Sequence, residues 1–382
     1  MPADGRPRWG VYCSVVDNFG DAGIAWRLAR ELATEFALDV TLWIDPPDVL
    51  AGLVGADPVH VEGRRLCGVL VRQRSAWTRD SGVPDVIVDV LGGGVPDALV
   101  HAIVEGRRTP RWFVLEYLSA EPRVEGLHGL PSPHPSTGIP RTFWFPGFTV
   151  ATGGLLRECD LLARRAAFTR DAEAQHALWQ ALRVPQPRGL RVSVFCYPHA
   201  PLAALLDAWA AGGEPVTCLV PEGVAPAILT EWTGSPRAGA HAMRGALALH
   251  VVPFVTQDRY DELLWACDLN LVRGEDSFVR AQWAAQPLVW NIYAQEHDAH
   301  HPKLHAFLAR YGEGLDASVD DALGAFWGAW NGLVEPASIA RAWSTFARAL
   351  PRLATHARAW ADRLARLPEL AHELVKASRI GV

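Results

Sequence analysis

The sequence predicts an α/β protein of two similar domains, each a mostly parallel sheet covered by helices on both faces. Three observations carry this expectation. Short apolar runs alternate with helical stretches, and the runs lack the strict apolar-polar alternation of a sheet with one wet face. The alternation restarts after Pro185-Gln186-Pro187, residues that cannot continue a helix and so mark a boundary. With 382 residues the chain is long enough for two or three cores.

In chain order, Val11 to Val16 is the first expected strand, followed by the turn Asp17-Asn18-Phe19-Gly20-Asp21-Ala22-Gly23 and a helix from Ile24 to Ala37. Val40 to Ile44 is the next strand and Val69 belongs to another. Val86 to Leu91 is a strand interrupted only by Asp89; Gly92-Gly93-Gly94 follows it, and Pro96-Asp97 opens a helix. Arg111 to Leu115 repeats the pattern. Glu121 to Gly147, rich in Pro, Gly and Ser, is expected to be a long packed loop. Leu155 to Leu182 has helical spacing and closes the first domain.

The second domain is expected to contain strands at Val192 to Cys196, Val216 to Val220, Leu247 to Val252, Leu269 to Val272 and Leu288 to Trp290. Helices run from Leu202 to Ala210 and from Asp261 to Ala266, and the chain is helical after about Asp320. The expected domains are therefore 1–184 and 185–356, with a terminal helix 357–382 returning to the first. Two such domains leave a cleft, the expected place for a small ligand.

Lys plus Arg number 36 against 42 acidic residues, a formal charge of −6. No general field attracts nucleic acid or an anionic membrane. The six cysteines are scattered without Cys-x-x-Cys spacing, so buried free thiols are expected. No export signal opens the chain, and no stretch reaches the roughly 18 apolar residues that span a bilayer. The expectation is a cytoplasmic protein with neither a membrane nor a nucleic-acid partner.

The strongest local signal is Arg273-Gly274-Glu275-Asp276-Ser277, which follows a strand and opens a helix. Unpaired N–H groups there, with Arg273 and the Ser277 hydroxyl, suit a diphosphate. Glu275 and Asp276 oppose that role unless their charges turn away, and a simple helix cap is the plainer alternative. Asp17 and Asp21 flank the first turn with two carboxylates, suited either to proton abstraction or to capping the next helix. Gly20-Asp21-Ala22-Gly23 lacks dinucleotide-fingerprint spacing. Gly92-Gly93-Gly94 gives a ligand access to backbone or simply makes a tight turn, and Glu116 with Tyr117 follows the next strand.

In the second domain Phe195, Tyr197, Phe254, Gln257 and Tyr260 offer rings and an amide for a nucleobase, or hydrophobic cover. There is no Asp-x-Asp, and His297, His300 and His301 read as structural or surface histidines, so no metal is expected.

Several long motifs occur in one order. They are Val15-Val16-Asp17-Asn18-Phe19-Gly20-Asp21-Ala22-Gly23 with Trp26-Arg27-Leu28-Ala29-Arg30, Leu115-Glu116-Tyr117-Leu118-Ser119-Ala120-Glu121, and Phe145-Pro146-Gly147-Phe148-Thr149. Pro253-Phe254-Val255-Thr256-Gln257 and the run from Arg273 to Trp283 complete them. In these the chain resembles the bacterial elongation factor P maturation arginine rhamnosyltransferases over its whole length. The resemblance implies a GT-B fold, with an acceptor-binding first domain and a nucleotide-sugar-binding second one. It implies an inverting, metal-independent glycosyltransferase that moves L-rhamnose from dTDP-β-L-rhamnose to an arginine of elongation factor P, with no further cofactor. Asp21 would be the general base, Asp17 its essential neighbour and Glu275 a further catalytic carboxylate. Asn18, Phe19 and Gly20 would join the donor site; Phe195, Tyr197, Phe254 and Gln257 would surround thymine. Arg273, Gly274, Glu275, Asp276 and Ser277 would surround ribose and diphosphate. The chain departs from the commoner pattern at Gly92-Gly93-Gly94 and at Pro198-His199. Another nucleotide-sugar transferase or an epimerase remains an alternative, as does a noncatalytic ribosome-associated binding protein.

Overall fold

The computed structural model describes residues 6–17, 19–56, 61–106 and 108–379. The chain splits into two compact units, Met1–Cys159 with Ala365–Val382, and Asp160–Leu364.

The first unit contains β1 (Arg8–Ser14), α1 (Phe19–Thr34), β2 (Asp39–Asp45), α2 (Val49–Val54), β3 (Arg65–Leu66) and β4 (Val69–Gln73). It continues with β5 (Val86–Val90), α3 (Asp97–Glu105), β6 (Arg111–Leu115), α4 (Arg123–Leu127) and β7 (Thr142–Trp144). The sheet order is β3-β4-β2-β1-β5-β6-β7, parallel throughout except for β3 on the edge. β1 lies at the centre and is buried from Trp9 to Cys13. From it the chain builds outward first through β2 and then, on the other side, through β5. That reversal makes the carboxyl ends of β1 and β5 the topological switch point, where open α/β sheets bind ligands. α1 covers the sheet with Ala22, Ile24, Ala25, Trp26, Leu28, Ala29 and Leu32, all buried.

The second unit begins with α5 (Leu161–Arg170) and α6 (Ala172–Ala181), then β8 (Leu190–Val194), α7 (Leu202–Ala210), β9 (Val216–Pro221) and α8 (Pro226–Thr233). β10 (His241–Arg244), β11 (Leu247–Val252), α9 (Gln257–Ala266), β12 (Leu269–Arg273), α10 (Asp276–Ala284) and β13 (Leu288–Asn291) follow. α11 (His301–Tyr311), α12 (Ala317–Trp330) and α13 (Ile339–Leu364) complete it. Its sheet runs β10-β11-β9-β8-β12-β13, with only β10 antiparallel. The order reverses at β8 as it does at β1. No described helix is long and apolar enough to cross a membrane.

The divisions between units differ from the 184/185 and 356/357 boundaries expected from the sequence. α5 and α6 lie in the second unit, where Phe168 packs on Trp265 of α9 at 5.7 Å between ring centroids and Arg165 donates to the Trp283 carbonyl. Pro185 and Pro187 end a helix without ending a domain. The expected loop at 121–147 contains α4 and β7, because Phe143 and Trp144 pair with β6. Cys13, Cys196, Cys218 and Cys267 are buried, but Cys67 and Cys159 are exposed. Cys67 sits in the tight turn between β3 and β4 at a φ of 45°.

The chain returns to the first unit at Ala365, whose carbonyl accepts from Arg157 at 2.8 Å. α14 (Leu370–Arg379) then buries Leu370, Ala371, Leu374 and Val375. Gly154, at a φ of 75°, allows this return: a Cβ there would stand 2.0 Å from the Pro368 carbonyl oxygen. Glu369 caps α14 by accepting from Ala371 and His372 N–H at 2.8 and 2.7 Å. It also meets Glu31 of α1, which is 1% exposed. As a carboxylate Glu31 has no donor for either oxygen; protonated, it donates to Glu369. Burial, together with Glu369, Glu158 and Glu35, pushes the Glu31 carboxyl well above the ordinary glutamate value. Glu158 is itself held by Arg27 at 3.2 Å and Arg30 at 2.9 Å.

A carboxyl whose folded pKa is raised contributes stability that is complete below its unfolded pKa and is lost as pH rises toward the folded one. Glu31 therefore weakens the fold at neutral and alkaline pH. Glu31→Gln, whose amide can still donate to Glu369, is expected to raise the melting temperature by about 2–4 °C at pH 8 and to have little effect at pH 4. Thermal melts across that range check it; an equal shift at both pH values would contradict the protonated pair.

Candidate functional site

β1 ends at Ser14 and α1 starts at Phe19, so the chain turns within a few residues at the switch point. The Asp17 carbonyl accepts the Gly20 N–H at 2.8 Å and starts the helix. Asp21, in the first turn, reaches back: its Oδ2 accepts the N–H groups of Val16 and Asp17, both at 2.8 Å. A negative charge in this position is favoured by the helix dipole. Asp21 is 1% exposed, and among the described residues its Oδ1 has no hydrogen-bond partner. The structural role of Asp21 at this turn therefore falls to Oδ2. Asp17, Phe19 and Gly20 lie partly buried around it, and Asn18 lies outside the described residues.

The carboxyl end of β5 flanks this turn. Leu91, Gly92 and Gly94 all have left-handed backbones, at φ of 58°, 64° and 76°. Glu116 and Tyr117 follow β6, one strand further out. Burial raises the Glu116 carboxyl above its ordinary value, and Arg123 partly opposes the shift.

The second unit places a cation at its own switch point. β8 leads into Phe195, whose N–H donates to the Leu271 carbonyl at 2.8 Å, and then Tyr197. β12 beside it ends in Arg273. The Arg273 guanidinium lies 4.4 Å from the Phe195 ring centroid and 4.7 Å from that of Tyr197, and donates to the Cys196 carbonyl at 3.3 Å. Tyr197 is fixed from below by Asn291, whose Oδ1 accepts its N–H at 2.8 Å, and from the side by Tyr293 edge-on at 5.5 Å. Phe254 is partly buried and follows β11.

Gly274, at a φ of 66°, turns the chain into α10, and its carbonyl accepts from the Trp290 indole at 3.1 Å. Glu275 occupies the N-cap position but makes no side-chain cap bond. It accepts instead from Lys303 of α11 at 2.8 Å, while Asp276 accepts from the Gln257 amide at 3.1 Å. The two acids at this helix start thus each have a side-chain donor of their own. Ser277 is in the first turn, 9% exposed. Arg280, one face along α10, makes a bidentate pair with Asp261 of α9 at 2.9 and 2.6 Å, both side chains 1% exposed.

The residues expected from the sequence therefore form two groups, Asp17 to Asp21 in the first unit and Phe195, Tyr197, Phe254, Gln257 and Arg273 to Ser277 in the second. Glu275, proposed as catalytic, belongs to the second group and is paired with Lys303. Lys303, Asn291 and Tyr293 were missed. A signal for Lys303 existed: the chain has only two lysines, and this one starts a helix after the histidine run. Among the described residues Asp298, His300 and His301 bring three possible metal ligands within 4.8 Å. His300 Nδ1 accepts the Gln295 N–H at 3.1 Å, so the neutral ring carries its proton on Nε2 and offers no lone pair to a metal.

The sequence model of the family described as "Elongation-Factor P (EF-P) rhamnosyltransferase EarP" matches residues 9–379. A protein-arginine rhamnosyltransferase of Pseudomonas putida is 46% identical over 97% of this chain and 98% of its own length. Its counterpart in Pseudomonas aeruginosa is 43% identical over 96% and 98%. A solved structure presented as the structural basis for EarP-mediated arginine glycosylation of translation elongation factor EF-P superposes with a TM-score of 0.70 at 36% identity, covering 99% of this chain and all of that one. MurG of Acinetobacter baumannii, at 12% identity and a TM-score of 0.50, shares the GT-B fold.

The buried Arg280–Asp261 pair fixes α10 against α9. Arg280→Met removes the bidentate cation from buried Asp261 and is expected to cost about 3–5 kcal/mol in urea denaturation. Replacing both residues, Arg280→Met with Asp261→Leu, is expected to recover most of that loss. A double variant as unstable as the single one would show that the cost lies elsewhere.

Proposed function

The chain belongs to the EarP family of elongation factor P rhamnosyltransferases, and from that premise we propose that it transfers L-rhamnose from dTDP-β-L-rhamnose to an arginine of elongation factor P. The transfer is a single displacement with inversion that needs no metal. The observation that supports this reading is the divided Asp21 carboxylate, one oxygen tied to backbone and the other without a donor among the described residues.

A free guanidinium has a pKa above 12 and is no nucleophile. Asp21 Oδ1 accepts a charge-assisted hydrogen bond from it and takes its proton as the nitrogen–carbon bond forms, so no neutral guanidine accumulates. Asp17 stands at the same turn as its essential neighbour. The sugar–oxygen bond breaks on the opposite side of the anomeric carbon, which turns a β-linked donor into an α-linked product and leaves dTDP with the added charge. Arg273 and the first N–H groups of α10 stabilise that charge, and they accelerate the reaction to the extent that their hold tightens in the transition state. Glu275 and Asp276 are engaged by Lys303 and Gln257, and in this reading they lie beside the ribose and diphosphate.

Thymine is bound among Phe195, Tyr197, Phe254 and Gln257. Arg273 lies over two of those rings. A cation on an exposed ring face is worth about 0.5–1 kcal/mol, less than a charge-assisted bond to phosphate. The arriving base therefore takes the ring face and Arg273 moves to the diphosphate.

Intact-mass analysis of elongation factor P incubated with dTDP-L-rhamnose and this protein is expected to show one added deoxyhexose, located on arginine. Donor consumed with no sugar on protein would overturn the reading. Asp21→Ala is expected to lower turnover by about 10²–10⁴-fold while calorimetric dTDP binding stays intact; full turnover would remove the base assignment. Lys303→Met, by leaving the Glu275 charge uncompensated, is expected to weaken dTDP binding by roughly tenfold, and unchanged affinity would separate Glu275 from the diphosphate site.

A further inference from the structure

The turn that carries Asp21 is held from both neighbouring strands. On the β2 side, the Val15 N–H donates to the Asp45 carbonyl at 3.2 Å. On the β5 side, Gly93 lies against Ser14 so closely that a Cβ on it would stand 2.9 Å from the Ser14 Cβ and 3.0 Å from the Ser14 nitrogen. Ser14 is the last residue of β1, two before Val16, whose N–H holds Asp21. The Gly92–Gly94 loop is thus a wall behind the base.

The loop has its own anchors. Asp89 on β5 is 3% exposed, and its Oδ1 accepts the Gly94 N–H at 2.9 Å. Arg74, just after β4, donates to the Gly94 carbonyl at 2.8 Å and places its Nε 3.4 Å from Asp45 Oδ2. Arg74 therefore spans β1, tying the loop after β5 to the end of β2. The left-handed backbone at Leu91 is a position that a β-branch-free but bulky residue adopts only under constraint. Asp89 lies in the middle of a sheet strand, where a carboxylate is costly unless it has work to do.

We propose that Asp89 is a positioning residue for the transfer reaction: by holding Gly94 it seats Gly93 against Ser14 and fixes the turn whose N–H groups orient Asp21. The proposal rests on the assignment of Asp21 as base. The groups facing Asp89 are Arg74, Arg141 ahead of β7, Glu116 after β6 and the Cys13 thiol on β1. Burial pushes the Asp89 carboxyl up to about 6, against the lowering effect of the Gly94 N–H, Arg141 and Arg74. It is ionised above that pH, where it holds Gly94 with a full charge, and takes up a proton below it. Turnover falls as pH drops through this range.

Three variants test this with intact elongation factor P and dTDP-L-rhamnose. Asp89→Asn keeps an oxygen for Gly94 but not the charge; it is expected to lower kcat about ten- to a hundredfold at pH 8 and to abolish the acid limb near pH 6. Gly93→Ala is expected to lower kcat similarly while keeping that limb. Both should bind dTDP as the unaltered protein does. Wild-type kcat with an unchanged acid limb in Asp89→Asn overturns the proposal, and if Gly93→Ala does not fold, Asp89→Asn alone decides. Asp21→Ala separates the two assignments: if it is active, the base assignment fails; if it is inactive while the other variants turn over normally, only the positioning role fails.

Discussion

The two hydrogen bonds from the Val16 and Asp17 N–H groups to a single oxygen of Asp21 are the constraint on which the turn after β1, and the reaction proposed for it, depend. They satisfy two donors of the loop that leads into α1, and they fix the carboxylate at the helix end where the dipole favours its charge. Because one oxygen meets the local structural need, the other can serve as the base in the proposed transfer. A carboxylate that capped through both oxygens would be stable and inert. One that capped through neither would swing into solvent and lose the orientation that proton transfer requires.

The second unit solves a different electrostatic problem. An anion site needs the positive end of α10 to stay open, yet the sequence places Glu275 and Asp276 there. Lys303 comes from α11 and Gln257 from the start of α9, so the compensation depends on three helices holding a common arrangement. The buried Arg280–Asp261 pair ties two of them together. Charge at the site and rigidity behind it are therefore parts of one network, since a shift of α10 would loosen Asp276 from Gln257 as well as turn its N–H groups away.

Much of this was legible in the sequence because it is local. The strands at Arg111–Leu115 and Leu247–Val252 and the helix at Leu202–Ala210 were read with their bounds intact, since each is an apolar run or periodic stretch bounded by turn residues. That Asp17 and Asp21 follow one strand and the Arg273 turn ends another was visible because a charged turn after an apolar run is a local pattern. What was not legible is set by contacts distant in sequence. Pro185-Gln186-Pro187 marks a helix end faithfully, but whether α5 and α6 belong before or after it depends on Phe168 meeting Trp265. The return of 365–379 rests on Gly154 and Pro368, residues too far apart in sequence for any local pattern to join. Lys303 is the same case: only the packing of α11 brings it to Glu275.

The two sheets reverse their strand order at equivalent places, β1 with β5 and β8 with β12, and both units put their polar turn there. The shared topology presents the same physical feature twice, a helix N-terminus with open N–H groups at the carboxyl end of a central strand. What differs is how its positive end is used. In the first unit Asp21 folds back beside the start of α1 and places a carboxylate in a buried position, the charge that the proposed cationic acceptor requires. In the second, the nearby acids are engaged by Lys303 and Gln257 and Arg273 is added, the charge that the proposed anionic donor requires. In the proposed reaction one backbone architecture thus serves opposite charges, through which side chain reaches back to the helix start and which is led away from it.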